Sequence, residues 1–195
     1  MRIIAGTYRS RVLHAPPGLH TRPTSDRLRE TLFNVLAPRM QEAEFLDLYA
    51  GSGAVGIEAL SRGAAHVTFV ERARAPLKAL RENLARLEIE DVYDLHATTA
   101  GAFLRASAAA RTISRRYELV FADPPYDAED EYEIALGLLG GEAGRILNPN
   151  ALVVAEHRRK QTLNVRFGAL ARTRLLEQGD AALSFFALTA DSSGA

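Results

Sequence analysis

From residue 44 onward the chain alternates two patterns of apolar and polar positions. The first is a set of short apolar runs: EFLDLY (44–49), HVTFVE (66–71), VYDLHA (92–97), YELVFA (117–122) and ALVVAEH (151–157). Their β-branched and aromatic content predicts strands. The second pattern, with apolar residues every three or four positions, predicts helices over AVGIEALSRG (54–63), RAPLKALRENLARLE (74–88), AGAFLRASAAA (100–110) and EDEYEIALGLLGG (129–141). In the 74–88 segment Leu77, Leu80, Leu84 and Leu87 fall at helical spacing. The early acids of the 129–141 segment suit the positive N-terminal end of a helix dipole. The turn NPN is expected to introduce the fifth strand, and two more extended stretches follow near 172–177 and 183–188.

Alternation at this spacing implies βαβ units and a mostly parallel sheet covered on both faces. Such sheets bind ligands outside the carboxyl ends of their strands. AGSG (50–53), Glu71 and DPPY (123–126) all follow predicted strands. They are therefore expected to converge on one crevice.

The first 40 residues break the pattern. RII (2–4) and RVLH (11–14) suit a small hairpin, and TSDRLRETLFNVL (24–36) a helix capped by Thr24 or Ser25. Leu28, Leu32, Val35 and Leu36 form the apolar stripe of that helix, and Arg27, Glu30 and Asn34 its polar face. The expected organisation is an N-terminal extension over 1–40, a main domain over 41–190 and a frayed polar tail over 191–195.

Composition narrows the chemistry. The 195 residues suit one domain with a sizeable core. No transmembrane run and no signal peptide are evident, so a cytoplasmic location is expected. The absence of cysteine excludes disulfides, thiolate metal sites and a cysteine nucleophile, and the five histidines lie too far apart to suggest a metal. Net charge is zero but uneven: residues 1–39 hold seven arginines against two acids, residues 157–174 six Lys/Arg and no acid, and residues 127–133 five acids. Arginine outnumbers lysine 22 to 2. That excess fits phosphate recognition, and it equally fits a GC-rich genome.

LDLYAGSGAVGIEAL contains Gly51-x-Gly53-x-x-Gly56, with Glu71 twenty residues after Gly51 at the end of the next strand. The glycines allow close backbone approach to a ligand, and the acid suits ribose hydroxyls. Both a nicotinamide enzyme and an S-adenosylmethionine enzyme fit. Asp47 favours the latter, because a buried carboxylate needs a cationic or donor partner and would repel a pyrophosphate. Asp47 can also serve simply to cap local backbone N–H groups.

DPPY offers a stiff loop. The prolines fix φ, Asp123 and the Pro124 carbonyl can accept the two hydrogens of an exocyclic amino group, and Tyr126 presents a stacking face. Two acceptors placed off the ring plane would aim the amine lone pair at a methyl donor, a catalysis of positioning and electrostatics. The base must be single-stranded or flipped out.

VFADPPY resembles the amino-methyltransferase motif of enzymes that methylate adenine N6, guanine N2 or related amides, and FLDLYAGSGAVGIEALSRGA resembles their S-adenosylmethionine segment. Together with RIIAGTYRSRVL and RPTSDRLRETLFNVL, the combination resembles the bacterial 16S rRNA guanine-N2 methyltransferases that act on guanine 966, over residues 2 to 188. The resemblance implies a Rossmann-like α/β methyltransferase fold, a seven-stranded sheet with the last strand antiparallel, and a small N-terminal hairpin and helix. It implies S-adenosylmethionine as cofactor, held by Asp47, Tyr49, Ala50, Gly51, Ser52, Gly53, Glu71, Arg72 and Thr99 together with Asp123. Asp123, Pro124 and Tyr126 would form the catalytic clamp, with Pro125 and Tyr126 against the base. Arg2, Arg9, Arg11 and Arg22 would bind phosphates, and Arg27 and Glu30 would line the site. The implied partner is 16S rRNA in a small subunit or assembly intermediate, and a monomer without metal is expected.

The chain departs from the family in places. IIGG is usual where Ile3-Ile4-Ala5-Gly6 stands, and RGR where Arg9-Ser10-Arg11 stands. An acid common near the adenine is replaced by Thr98 and Thr99, which leaves that contact to threonine or backbone. The clamp reads an NH₂ group and not a ring, so adenine N6 in nucleic acid and a protein glutamine amide stay open as targets. A nicotinamide oxidoreductase or a non-catalytic nucleotide-binding module also stays open, although no Tyr-x-x-x-Lys constellation is present.

Overall fold

The computed structural model describes residues 1–15, 26–125, 128 and 130–189. The chain forms two compact units, Met1–Thr99 and Ala100–Ala195. The hairpin and first helix belong to the first unit and form no unit of their own.

In the first unit, α1 (Asp26–Leu36) precedes β1 (Glu44–Asp47), α2 (Ala54–Ser61), β2 (His66–Val70), α3 (Arg74–Arg86) and β3 (Tyr93–His96). The strands are parallel in the order β3-β2-β1, with Asp47 beside Phe69 and Val70 beside His96 at their carboxyl ends. All four leucines of the α3 stripe are buried. The helix stops at Arg86 because Glu88 turns into the left-handed region at φ 55°. Gly56 lets α2 lie directly on β2, since a Cβ there would come within 2.1 Å of the Phe69 ring. The predicted α1 stripe needs correction. Val35 is only half-buried, while Phe33 and Arg29 are fully buried in its place.

The hairpin consists of one antiparallel bridge, Arg2 to Val12, with Ile3 N–H donating to the Arg11 carbonyl at 3.0 Å and Ser10 N–H to the Ile3 carbonyl at 2.9 Å. Ser10 closes it at φ 67° and Gly6 at φ 85°. Gly6 is forced, because a Cβ would stand 1.7 Å from the Ser61 carbonyl oxygen. At this contact Thr7 N–H donates to the Ser61 carbonyl (2.8 Å), Tyr8 N–H to Ser61 Oγ (3.0 Å) and Ser61 Oγ to the Ala5 carbonyl (2.6 Å). The buried Glu58 carboxylate accepts from Ile4 N–H (2.8 Å), Ala5 N–H (3.0 Å) and Arg62 Nε (2.7 Å), and faces Arg29 Nε at 3.7 Å. Arg29 in turn donates to the Arg2 carbonyl at 2.6 Å and to Asp26 at 3.0 Å. The Arg62 guanidinium also lies over the Phe33 ring at 4.9 Å. A buried ionic cluster thus fastens hairpin, α1 and α2 together.

The second unit runs α4 (Ala100–Ala109), β4 (Tyr117–Ala122), α5 (Asp130–Gly140), β5 (Leu147–Arg158), β6 (Arg166–Phe167), β7 (Leu170–Gln178) and β8 (Ala181–Leu188). Its strand order is β4-β5-β8-β7-β6, with β4 and β5 parallel and the remaining pairs antiparallel. The last strand, β8, therefore runs against both of its neighbours, as expected. Eight strands stand in the described residues against the seven expected, the extra one being the two-residue β6. The NPN turn is instead part of β5. Between the pairs Tyr117–Leu147 and Leu119–Leu152, Glu118 alone faces residues 148–151. That irregularity accommodates Pro149, which has no N–H to give a ladder, and Asn148 donates to the Glu118 carboxylate across it.

Candidate functional site

β1 ends in Asp47, which is buried. Its Oδ2 accepts the Gly56 N–H at 3.0 Å, near the start of α2. Burial pushes its carboxyl up to about 7, helped by the nearby Glu71 charge and opposed by the Gly56 and Tyr49 N–H groups. The capping role foreseen for Asp47 is therefore real, and it does not satisfy the group. A charged Asp47 remains costly, which a cationic ligand group would relieve.

After β1 the chain turns through Tyr49, Ala50, Gly51, Ser52 and Gly53 into α2. Ala50 N–H donates to the Val70 carbonyl at 3.0 Å, and Gly53 N–H to the Ala50 carbonyl at 2.7 Å. Gly51 and Gly53 take φ 56° and 88°. Their uses differ. A Cβ on Gly53 would strike Leu80 at 2.3 Å, whereas a Cβ on Gly51 would meet nothing within 4 Å. Gly51 thus leaves open space where a ligand can approach the backbone.

Glu71 closes the loop from the end of β2. Its two oxygens accept the Gly51 N–H (2.8 Å) and the Ala73 N–H (2.7 Å). Each oxygen keeps a further lone pair for a hydroxyl donor. Asp47, the glycine turn and Glu71 are therefore one hydrogen-bonded constellation within the first unit. The donor set fits S-adenosylmethionine: a carboxylate pair for cationic and hydroxyl groups, open backbone at Gly51, and no clustered cations for a pyrophosphate. Arg72 is exposed beside Glu71. Thr98 and Thr99 are half-buried just before α4, and Thr98 N–H donates to the His96 carbonyl at 3.0 Å.

Sequence reasoning missed Asn83. Buried on α3, it accepts the His14 N–H at 2.8 Å and donates through Nδ2 to the carbonyls of His14 and Ser52, both at 2.9 Å. It joins the N-terminal segment to the cofactor loop. The available signal was a buried-side position, one residue before Leu84, carrying an amide.

In the second unit β4 ends at Ala122, and Asp123 follows half-buried, Pro124 buried and Pro125 exposed. The Pro125 carbonyl accepts the Ala128 N–H at 2.9 Å, which ties the loop to itself just after the two prolines. Tyr126 lies outside the described residues, as does Arg22. Beyond the loop, Tyr132 of α5 is buried and donates its hydroxyl to the Glu156 carbonyl at 2.8 Å, with its ring edge-on to His157. The start of α5 is thereby fixed to the end of β5. Among the RNA candidates, Arg2, Arg9, Arg11, Arg27 and Glu30 are all exposed, on the hairpin and on α1.

Residues 1–187 match the family model described as conserved hypothetical protein 95. A Haemophilus influenzae protein named ribosomal RNA small subunit methyltransferase D is 37% identical over 164 residues, 84% of this chain and 81% of its own. The Escherichia coli protein of that name is 44% identical over 126 residues, 65% of this chain and 60% of its own. Among solved structures, an Escherichia coli protein provisionally described as the methyltransferase yhhF superposes with TM-score 0.81 at 33% identity, covering 98% of this chain and 99% of that one. The chain belongs to the family described as conserved hypothetical protein 95, the bacterial small-subunit rRNA methyltransferase family that its motifs resemble.

Proposed function

We propose that the protein transfers a methyl group from S-adenosylmethionine to the exocyclic N2 of a guanine in 16S rRNA, presented in a small subunit or an assembly intermediate. The observation that carries the reading is the acid and proline pair at the end of β4: half-exposed Asp123, then buried Pro124 and exposed Pro125. The relatives named ribosomal RNA small subunit methyltransferase D support an rRNA substrate.

When bound, S-adenosylmethionine supplies an electrophilic methyl on a cationic sulfur. Asp47, Gly51 and Glu71 hold it by charge, close backbone approach and hydroxyl acceptance. Asp123 and the Pro124 carbonyl accept the two amine hydrogens, turning the nitrogen lone pair out of conjugation. The new N–C bond would form as the methyl–sulfur bond breaks, releasing the neutral thioether, and the amine would lose one proton to solvent past the half-exposed Asp123. Tyr126 is assigned to stack on the base. Arg2, Arg9, Arg11 and Arg22 bind phosphates, while Arg27 and Glu30 line the approach.

The test is transfer of labelled methyl from S-adenosylmethionine to small subunits lacking the modification, with the modified nucleotide mapped. N2-methylguanosine at one 16S position is the expected product. N6-methyladenosine, or label in protein, would overturn the target. Activity should fall with rising salt, because phosphate contacts release counterions.

A further inference from the structure

The basic run at 157–174 has no role in the reading above. Its first part, Arg158, Arg159 and Lys160, is exposed and follows directly from β5. β4 and β5 are parallel and in register at Ala122 and Ala155. Asp123 is one residue beyond that pair on β4, and Arg158 three residues beyond it on β5. Adjacent strands lie about 4.8 Å apart and advance about 3.3 Å per residue, so the basic run leaves the same sheet edge about 10 Å outward of the clamp. Tyr132 provides an independent tie: it sits a few residues after the clamp and holds the Glu156 carbonyl and the His157 ring, the two residues before Arg158.

The basic run is also held in place. Arg159 N–H donates to the Asp180 carbonyl at 2.8 Å, and Gln161 N–H to the Arg158 carbonyl at 2.9 Å. Asp180 lies in the adjoining turn and Glu177 in the adjoining strand, with Arg172 also acting on His157, so charges of both signs surround the basic run. A nucleotide whose base enters the clamp must leave its backbone outside the sheet edge. A guanidinium and an ammonium carried on that held backbone can meet a phosphate by fork and by point charge.

We propose that Arg159 and Lys160, flanked by Arg158, bind rRNA phosphates beside the target nucleotide, a second backbone contact separate from the N-terminal hairpin. This rests on the rRNA reading above. The experiment compares wild type, R159Q/K160Q, and a charge-matched control, R111Q/R116Q, whose exposed residues precede β4 at the opposite, amino-terminal edge. Affinity for unmodified small subunits is measured from low to physiological salt, with S-adenosylmethionine affinity as a check on the fold.

The R159Q/K160Q protein should bind the cofactor like wild type but lose RNA affinity. The slope of log affinity against log salt should flatten by about two. The control should leave the slope unchanged. An unchanged slope in R159Q/K160Q overturns the inference, as does equal flattening in the control, which would mean diffuse charge. Wild type that neither binds nor methylates small subunits would instead bring down the rRNA reading, and this inference with it.

Discussion

Asn83 and His14 hold each other through reciprocal amide hydrogen bonds of 2.8 and 2.9 Å, 69 residues apart in the chain. The same Asn83 amide donates to Ser52 in the cofactor loop. Asn83→Ala leaves three part-buried backbone groups without that partner. A stability loss of about 1–3 kcal/mol is expected by denaturant unfolding. Calorimetry should show weakened S-adenosylmethionine binding as well. Asn83→Asp keeps the acceptor for His14 N–H and removes the donor to Ser52, so its cofactor affinity should fall while part of the stability loss is spared. Wild-type cofactor affinity in both variants would sever the link between hairpin and loop.

Asp47 sets a pH dependence. Its folded pKa, about 7, lies above the ordinary 3.8, so the fold favours the protonated form. The stability from this group is fully present below pH 3.8 and is lost as pH rises through about 7. Asp47→Asn removes the ionisation and should stabilise the free protein at pH 8 by a few kcal/mol, on the order of the shift. It should also weaken cofactor binding sharply. Cofactor affinity of the native protein should fall as pH drops below about 7, where the anion is lost. A flat affinity between pH 6 and 8 would argue that the cofactor's cationic group is held elsewhere.

Glu58 is buried and serves two hairpin N–H groups and two arginines. Glu58→Ala leaves the buried Arg29 guanidinium with Asp26 as its remaining acid, strands the Ile4 and Ala5 N–H groups, and should cost about 3 kcal/mol. Limited proteolysis should then cut first within residues 1–15, since their anchor is gone. Cleavage no faster than in wild type would show that Ser61 and Asn83 suffice.

Asp123→Ala should lower turnover at least about a hundredfold while leaving S-adenosylmethionine affinity near wild type. A parallel loss of cofactor binding would move Asp123 from the amine to the cofactor. Asp123→Asn retains one acceptor and should keep more activity than the alanine variant.

Ser10 pays for a left-handed conformation at φ 67°, which glycine adopts without Cβ strain. Ser10→Gly should raise stability by about 0.5–1 kcal/mol, read as an upward shift of the melting temperature. No shift would mean that the serine side chain compensates locally.

The alternation of apolar runs and helical stripes was enough to place β1 to β5 and the helices between them: burial on both faces makes β1, β2 and β4 continuous apolar runs, while β3 shows only alternate half-buried positions. The hydrogen-bonded set of Asp47, the glycine turn and Glu71 was legible because its members lie at strand ends, where side-chain chemistry departs from the core pattern. The buried polar residues were not legible. Arg29 reads as surface charge until Glu58 is seen opposite it, and Glu58, whose Arg62 partner at i+4 reads as an ordinary surface pair, gives no sign of the two hairpin N–H groups it also holds. Asn83 and Tyr132 likewise act on backbone atoms tens of residues away, and backbone acceptors leave no mark in a sequence. The NPN segment misled because a proline turn and a proline at a strand irregularity share the same residues.

The hairpin contacts also fix an order of events during synthesis. Residues 1–14 leave the ribosome before their anchors, Glu58, Ser61 and Asn83, which lie between 53 and 69 positions later. The hairpin can meet Glu58 and Ser61 once α2 has emerged, but the Asn83 contact waits for α3. Until α2 is made, the nascent chain carries an undocked basic arm, Arg2, Arg9 and Arg11 included, and completion of α3 then locks its far end at His14.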